Sequence, residues 1–358
     1  MFSDFRTITS DTKPWRTGMN IAVCDDCGFP QAEVTQEWIN SAADIYSDYA
    51  SYFQTSDCDQ TVFLQGESTS RGDLFVNSVM GVCKTQTGGS VLDFGCGAGN
   101  LLRSFSRFRS DLKLFGFDLD NRELDNLKQI PNFEKLIVGD LDPSLKFDLI
   151  SLSHTLEHLI LPLDVMKSLR AMLNHDGHLV VAVPDCSKDP FKLLIADHCS
   201  HFSLSSLKRF LDIAGFEVVL IESRIETREC WAVCRPRESQ ASIDETFPTT
   251  EWISASIRWL KDVKAHAMSL TATKSFGIFG TSINALWLFG EIESDVDFFV
   301  DEDQSRLGRE LFGRPVIKPS DVPVGSTVYM PFTPALARAI AQRLAELDVV
   351  WAVPPDAL

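Results

Sequence analysis

The run Val91-Leu92-Asp93-Phe94-Gly95-Cys96-Gly97-Ala98-Gly99-Asn100-Leu101-Leu102 narrows the possible folds more than any other part of this chain. An apolar strand ends near an acid, three glycines follow at alternate positions, and an apolar helix begins. Glycines at that spacing let the backbone turn sharply and lie close against a ligand. Many nucleotide-binding folds use such a turn, so its company decides the reading. Asp118, nineteen residues after Gly99, ends a second apolar strand, Leu114-Phe115-Gly116-Phe117. Gly139-Asp140-Leu141 follows a third strand, and Phe147-Asp148-Leu149-Ile150-Ser151-Leu152 makes a fourth.

The alternation continues to about residue 235. A helix near 164–173 places Met166, Leu169 and Leu173 on one face, and a strand follows at 178–183. A helix near 204–214 carries Leu207, Phe210, Leu211 and Ala214 at helical spacing, with Gly215 as its stop. Strands near 216–222 and 229–234 complete the pattern, which predicts a doubly wound α/β sheet over 86–235. Before it lie a small irregular module, 1–40, and a helical, aromatic segment, 41–85. After it come a polar linker and helix, 236–268, and a second, smaller α/β domain of Rossmann-like design, 269–358. In that last unit Phe276-Gly277-Ile278-Phe279-Gly280 is a strand entering a glycine turn, and Val296–Asp301 is the next strand. Asp301-Glu302-Asp303 is either a ribose holder or a solvated acidic turn.

At 358 residues, two or three domains are expected. A net charge of −17 argues against general binding to nucleic acid or an anionic membrane. The apolar runs are shorter than a membrane span, and Met1-Phe2-Ser3-Asp4 does not open a signal peptide. Nine cysteines without pairing rhythm point to a reducing, cytoplasmic setting. Oligomeric state is not readable from the sequence.

Taken together, the glycine turn and the acids after successive strands resemble the class I S-adenosylmethionine-dependent methyltransferases. The resemblance implies a seven-stranded sheet. It also implies that Asp93, Gly95, Cys96, Gly97 and Gly99 cradle the methionine part of the cofactor. Asp118 and Leu119 would meet the ribose, Asp140 and Leu141 the adenine, and Ser153 the end of the fourth strand. A carboxylate accepting from two vicinal hydroxyls makes strong charge-assisted bonds.

Within that class the layout is similar to the bacterial sugar (NDP-hexose) C-methyltransferases. His154-Thr155-Leu156-Glu157-His158 looks like a His-x-Leu-Glu-His signature, and Ala196–Ser203 resembles a Glu-His-x-x-x-(Tyr/Phe)-Ser segment. The resemblance implies His198 as the base beside a sugar ketone, Asp197 as its acidic neighbour, and His154 beside the reacting methyl. Imidazole suits proton transfer because its pKa lies near neutrality. Tyr49, Tyr52, Arg71 and His201 are candidate contacts to a nucleotide-linked sugar or glycan precursor. Lys188, Lys192, Lys208 and Arg209 are cations near His198, and ordinary solvated surface is the competing reading.

The family's Tyr before the Glu is Ile195 here, and no His precedes His154, so O-methylation of a sugar or natural product competes with C-methylation. A non-catalytic subunit that binds the cofactor is the alternative from another class. Cys24-Asp25-Asp26-Cys27-Gly28 matches half of that family's N-terminal zinc module. No cysteine precedes Cys24, so Cys24 and Cys27 form an incomplete metal site. Helical spacing also admits zinc on His154, Glu157 and His158.

Overall fold

Four short strands open the chain as two antiparallel hairpins, β1 (Arg6–Ile8) with β2 (Pro14–Thr17) and β3 (Ile21–Val23) with β4 (Pro30–Ala32). Helix α1 (Gln36–Ser47), hairpin β5 (Thr61–Leu64) and β6 (Glu67–Ser70), and helix α2 (Arg71–Met80) lead to the core. Ser70 caps α2 by accepting from Asp73 N at 3.0 Å, satisfying one of the free amides of the first turn. The computed structural model describes residues 5–18, 20–25, 28–47, 61–64, 67–224, 227–238, 250–272 and 275–356.

Seven strands then form one sheet. They are β7 (Ser90–Phe94), β8 (Lys113–Asp118), β9 (Phe133–Val138), β10 (Phe147–Ser153), β11 (Leu173–Pro184), β12 (Phe216–Arg224) and β13 (Glu229–Pro236). Helices α3 (Asn100–Phe108), α4 (Leu124–Leu127), α5 (Pro162–Met172) and α6 (Leu204–Ile213) alternate with them. The order is β12-β13-β11-β10-β7-β8-β9, parallel throughout except for β13, which runs against both of its neighbours. Central strands covered on both faces need continuous apolar sequence, and Leu179 to Val183 of β11 are fully buried. The order reverses between β7 and β10, so the ligand crevice of this topology lies beyond their carboxyl ends.

Helix α7 (Glu251–Leu270) leads to a second sheet. It contains β14 (Phe276–Phe279), β15 (Phe298–Val300), β16 (Glu310–Leu311), β17 (Arg314–Ile317), β18 (Thr327–Tyr329) and β19 (Val350–Ala352), with α8 (Ile283–Ile292) and α9 (Pro334–Arg343). The order β16-β17-β15-β14-β18-β19 is doubly wound, parallel except for the β16–β17 hairpin.

The opening hairpins tie the two sheets to one loop. Ala196 N donates to Ile8 O at 2.8 Å, Ala32 N to Cys199 O at 2.8 Å, and His201 N to Pro30 O at 3.1 Å. On its other side, β1 meets α8: Trp287 Nε1 donates to Arg6 O at 3.1 Å and Arg6 N to Glu291 Oε1 at 2.6 Å. Phe5, Ile8, Phe191, Ile195, Trp259 and Trp287 share one buried apolar cluster. The second α/β unit therefore supports residues 190–201 of the first through the N-terminal hairpins.

Candidate active site

At the glycine turn, Gly95 N and Cys96 N donate to Phe117 O at 2.8 and 3.0 Å. Gly97 N donates to Asp118 Oδ2 at 2.7 Å, and Leu119 N to Asp118 Oδ1 at 2.8 Å. Each carboxylate oxygen keeps a further acceptor direction for a ligand hydroxyl. Burial raises the Asp118 pKa above the usual carboxylate value despite these amides. Gly95 has φ +82°, and a Cβ there would stand 2.3 Å from Thr155 Oγ1. The bare backbone at this point is what lets the loop after β10 close over the turn. Asp93 is buried behind it, accepting from Ser151 Oγ at 2.8 Å, and burial lifts its carboxyl to about 7. Cys96 is buried, with its thiol pushed up by burial. Asp140 and Leu119 are exposed, while Leu141 packs against the sheet's core.

Beyond Ser153 the chain makes an unusual turn. His154 has φ +54°, a left-handed conformation uncommon outside glycine, and its N–H donates to Ala182 O at 2.9 Å. Its Nε2 bonds Glu229 Oε1, and its Nδ1 lies 3.4 Å from Glu157 Oε1. Glu229 is a buried hub that also accepts from Arg71 Nε at 2.5 Å and Trp231 Nε1 at 2.7 Å. Burial works against ionisation of Glu229, but Arg71 and His154 hold its pKa well below normal. The His154 pKa is raised: burial and Arg71 oppose the proton, and the carboxylates of Glu229 and Glu157 prevail. The His154 side chain is 38% exposed.

Four residues further on, His158 faces the 195–201 loop. Its Nδ1 bonds Asp197 O at 3.1 Å and Tyr46 Oη at 2.9 Å, with Asp197 Oδ2 at 3.3 Å. The fully buried Asp197 also accepts from Ser10 N at 2.9 Å and Ser10 Oγ at 2.6 Å. Burial opposes its charge, yet His158 and Ser10 keep its pKa low. Asp197 thus orients His158 and the N-terminal hairpin, whereas the sequence suggested that it orients His198. His198 is buried, its ring perpendicular to His158 with centroids 4.6 Å apart. Burial first, then the neighbouring His158, press its pKa well below normal. His201 is also buried, and burial lowers its pKa to about 3.

Arg71 lies among these groups but gives its charge to Glu229, and its Nη2 donates to Ser153 Oγ at 2.7 Å. Lys192 lies 3.9 Å from Asp189 and Lys208 3.3 Å from Asp212. Tyr49, Tyr52 and Cys27 lie outside the described residues. Cys24 borders an apolar groove of about 360 Å³ with Phe29, Leu161 and Phe210, apart from the histidines. Among the described residues Cys24 joins no group of three metal-type ligands. In the second unit Asp301 is buried and accepts from Thr281 Oγ1 at 2.6 Å, with Arg306 at 3.3 Å, so its carboxylate is spent within the fold.

The sequence did not reveal Glu229, Ser10 or Trp231 as site neighbours, whereas Tyr46 belongs to the aromatic run that offered hydroxyl contacts and meets His158. Glu229 left one trace, an acid heading the apolar run Cys230–Cys234. Ser10 left none, because 187 residues separate it from Asp197.

The family model for a methyltransferase domain matches residues 79–221, under half of the 358 residues. That stretch spans β7 to most of β12, and with the sheet order it makes this segment a methyltransferase domain using S-adenosylmethionine as donor. No curated protein matches the chain by sequence. Solved structures that it resembles include the CcbJ methyltransferase of Streptomyces caelestis, at 15% identity over 55% of this chain and 96% of that one, TM-score 0.40. A methyltransferase of Aquifex aeolicus gives 19% identity, 46% and 91% coverage, and 0.37. A TehB-like methyltransferase of Corynebacterium glutamicum gives 19%, 46% and 88%, and 0.36. At these scores the likeness bears on neither acceptor nor mechanism. Among the described residues no helix is long and apolar enough to cross a membrane.

Proposed function

We propose that the chain methylates a small polar acceptor, a nucleotide-linked sugar or glycan precursor, at carbon beside a ketone, with His154 as the base. The observation that carries this reading is His154 itself. It is the first residue after β10, at the topological switch, partly exposed and gripped by two carboxylates. When bound, S-adenosylmethionine supplies an electrophilic methyl group on its sulfonium. The backbone of Gly95–Gly99 and the Asp118 carboxylate form a cradle that fits this ligand.

The remaining chemistry belongs to the chain. With Nε2–H of His154 donating to Glu229, the acceptor's proton goes to Nδ1, 3.4 Å from the Glu157 carboxylate that then shares it. Glu229 and Glu157 stabilise the imidazolium so formed. Arg71 keeps Glu229 ionised and ties it to Ser153. His198, buried and held neutral, lines this region rather than taking the proton. Positioning of acceptor and donor would supply much of the rate enhancement.

The test is methyl transfer to nucleotide-linked sugars with and without a 4-keto group, followed by mass spectrometry. Product from keto sugars alone supports carbon methylation. Product from reduced sugars alone moves the acceptor atom to oxygen. Cofactor binding with no product from any sugar overturns the acceptor class.

A further inference from the structure

The loop after β10 and the loop after β11 bring three metal-type ligands together: Glu157, His158 and His198 each offer an atom within 4.8 Å of the others. We propose that these side chains form a site for a divalent transition metal of the zinc type. It is distinct from the cysteine pair at Cys24 and Cys27.

Three observations support the site. The Glu157 side chain is about 1% exposed, and among the described residues neither carboxylate oxygen has a hydrogen-bond partner. Among the described residues its ion-pair neighbour within 4 Å is His154 Nδ1, at 3.4 Å from Oε1. A buried carboxylate left this way is expensive unless a cation meets it. His198 is 3% exposed, and its Nδ1 is buried with no hydrogen-bond partner among the described residues. Finally, the outer groups are those that a ligating histidine needs. Nδ1 of His158 is committed to Asp197 and Tyr46, which leaves Nε2 for an ion. A histidine whose other nitrogen is held by a carboxylate or carbonyl is the usual arrangement at a metal.

The donor set suits the ion. Two imidazoles and one carboxylate, with a fourth position open, is a ligand pattern of catalytic zinc. Ligands about 2.1 Å from a tetrahedral ion stand about 3.4 Å apart, so binding draws these atoms together by at most about 1.4 Å. Both loops are well placed for that movement, since Cys199 N and Ser200 N already donate to Glu157 O at 2.7 and 3.0 Å. The open position would take an oxygen of the acceptor; that clause alone rests on the proposed function.

The experiment uses the full chain, stripped with a chelator, loaded with Zn²⁺ or Co²⁺ and passed through a desalting column. Metal content is read by mass spectrometry and Co²⁺ geometry by visible absorption. The expected result is about one ion per chain with tetrahedral cobalt bands and no thiolate charge-transfer band. Retention is lost in Glu157→Gln and in His198→Gln and unchanged in Cys24→Ser. Asp197→Asn, altering only the outer support of His158, weakens binding about 10–100-fold. Circular dichroism and cofactor binding confirm that each variant is folded. No retained ion in a folded, cofactor-binding chain overturns the proposal, as does metal lost in Cys24→Ser but kept in Glu157→Gln. Metal retention without methyl product leaves the site standing and removes the sugar reading, while product without retention does the reverse.

Discussion

Gly95→Ala tests the closest approach in the cofactor turn. Two costs arise from different atoms. At φ +82° a residue with a Cβ pays roughly 1–2 kcal/mol for the left-handed backbone. The new methyl would also lie 2.3 Å from Thr155 Oγ1 and 2.6 Å from Thr155 Cγ2, an overpacking cost of about 1–3 kcal/mol. The total is about 2–5 kcal/mol of stability, and any shift of the turn weakens the cofactor about tenfold per 1.4 kcal/mol. Thr155→Ala separates the two costs. It removes Oγ1 and Cγ2 and leaves Thr155 Cβ, at 3.0 Å, as the nearest atom. The double variant should recover about 1–3 kcal/mol of the loss and retain the backbone part. Urea midpoints of the four proteins give the cycle, and calorimetry gives the cofactor affinities. Strict additivity, or a Gly95→Ala protein as stable and as tightly binding as the parent, would refute the packing argument.

Asp93→Asn should flatten part of the pH dependence of stability. Burial lifts the folded-state carboxyl to about 7 from 3.8, so between those values the folded chain holds a proton that the unfolded chain has released. Stability therefore falls as pH rises through that window, by up to about 1.4 kcal/mol per unit, and Asn removes the slope; urea midpoints at about pH 5 and about pH 8 check it. Glu229→Ala removes the ion-pair partner of Arg71 and the acceptor of the Trp231 N–H, and should cost about 3–5 kcal/mol by chemical denaturation, with Glu229→Gln costing less. Trp287→Ala empties the cluster between α8 and β1, costs about 3–5 kcal/mol, and should expose the first hairpin to limited proteolysis before the central sheet.

The central sheet was legible because its signals are local and long. Apolar strands of five to seven residues, the first three ending at or just before Gly or Asp, leave few alternative topologies, and Asp118 meets the glycine turn through Gly97 as that pattern implies. The N-terminal hairpins were not legible. Their strands are three or four residues long, too short for a period of two to show. The setting of Asp197 depends on those hairpins, because Ser10 donates twice to the carboxylate whose Oδ2 lies 3.3 Å from His158 Nδ1. Adjacent residues in sequence, Asp197 and His198, suggest a dyad; in the fold Asp197 pairs with His158 instead, and the His198 ring packs against that same histidine. Glu229 shows the same limit, since its pairing with Arg71 spans 158 residues.

The most direct test of the central claim is methyl transfer by His154→Gln, measured beside calorimetric binding of S-adenosylmethionine to the same protein. Glutamine can still donate toward Glu229 but cannot act as a base at neutral pH. The expected result is unchanged cofactor affinity with turnover reduced about 10²–10⁴-fold. Turnover at the parent's rate would remove His154 from the chemistry and contradict the proposed site.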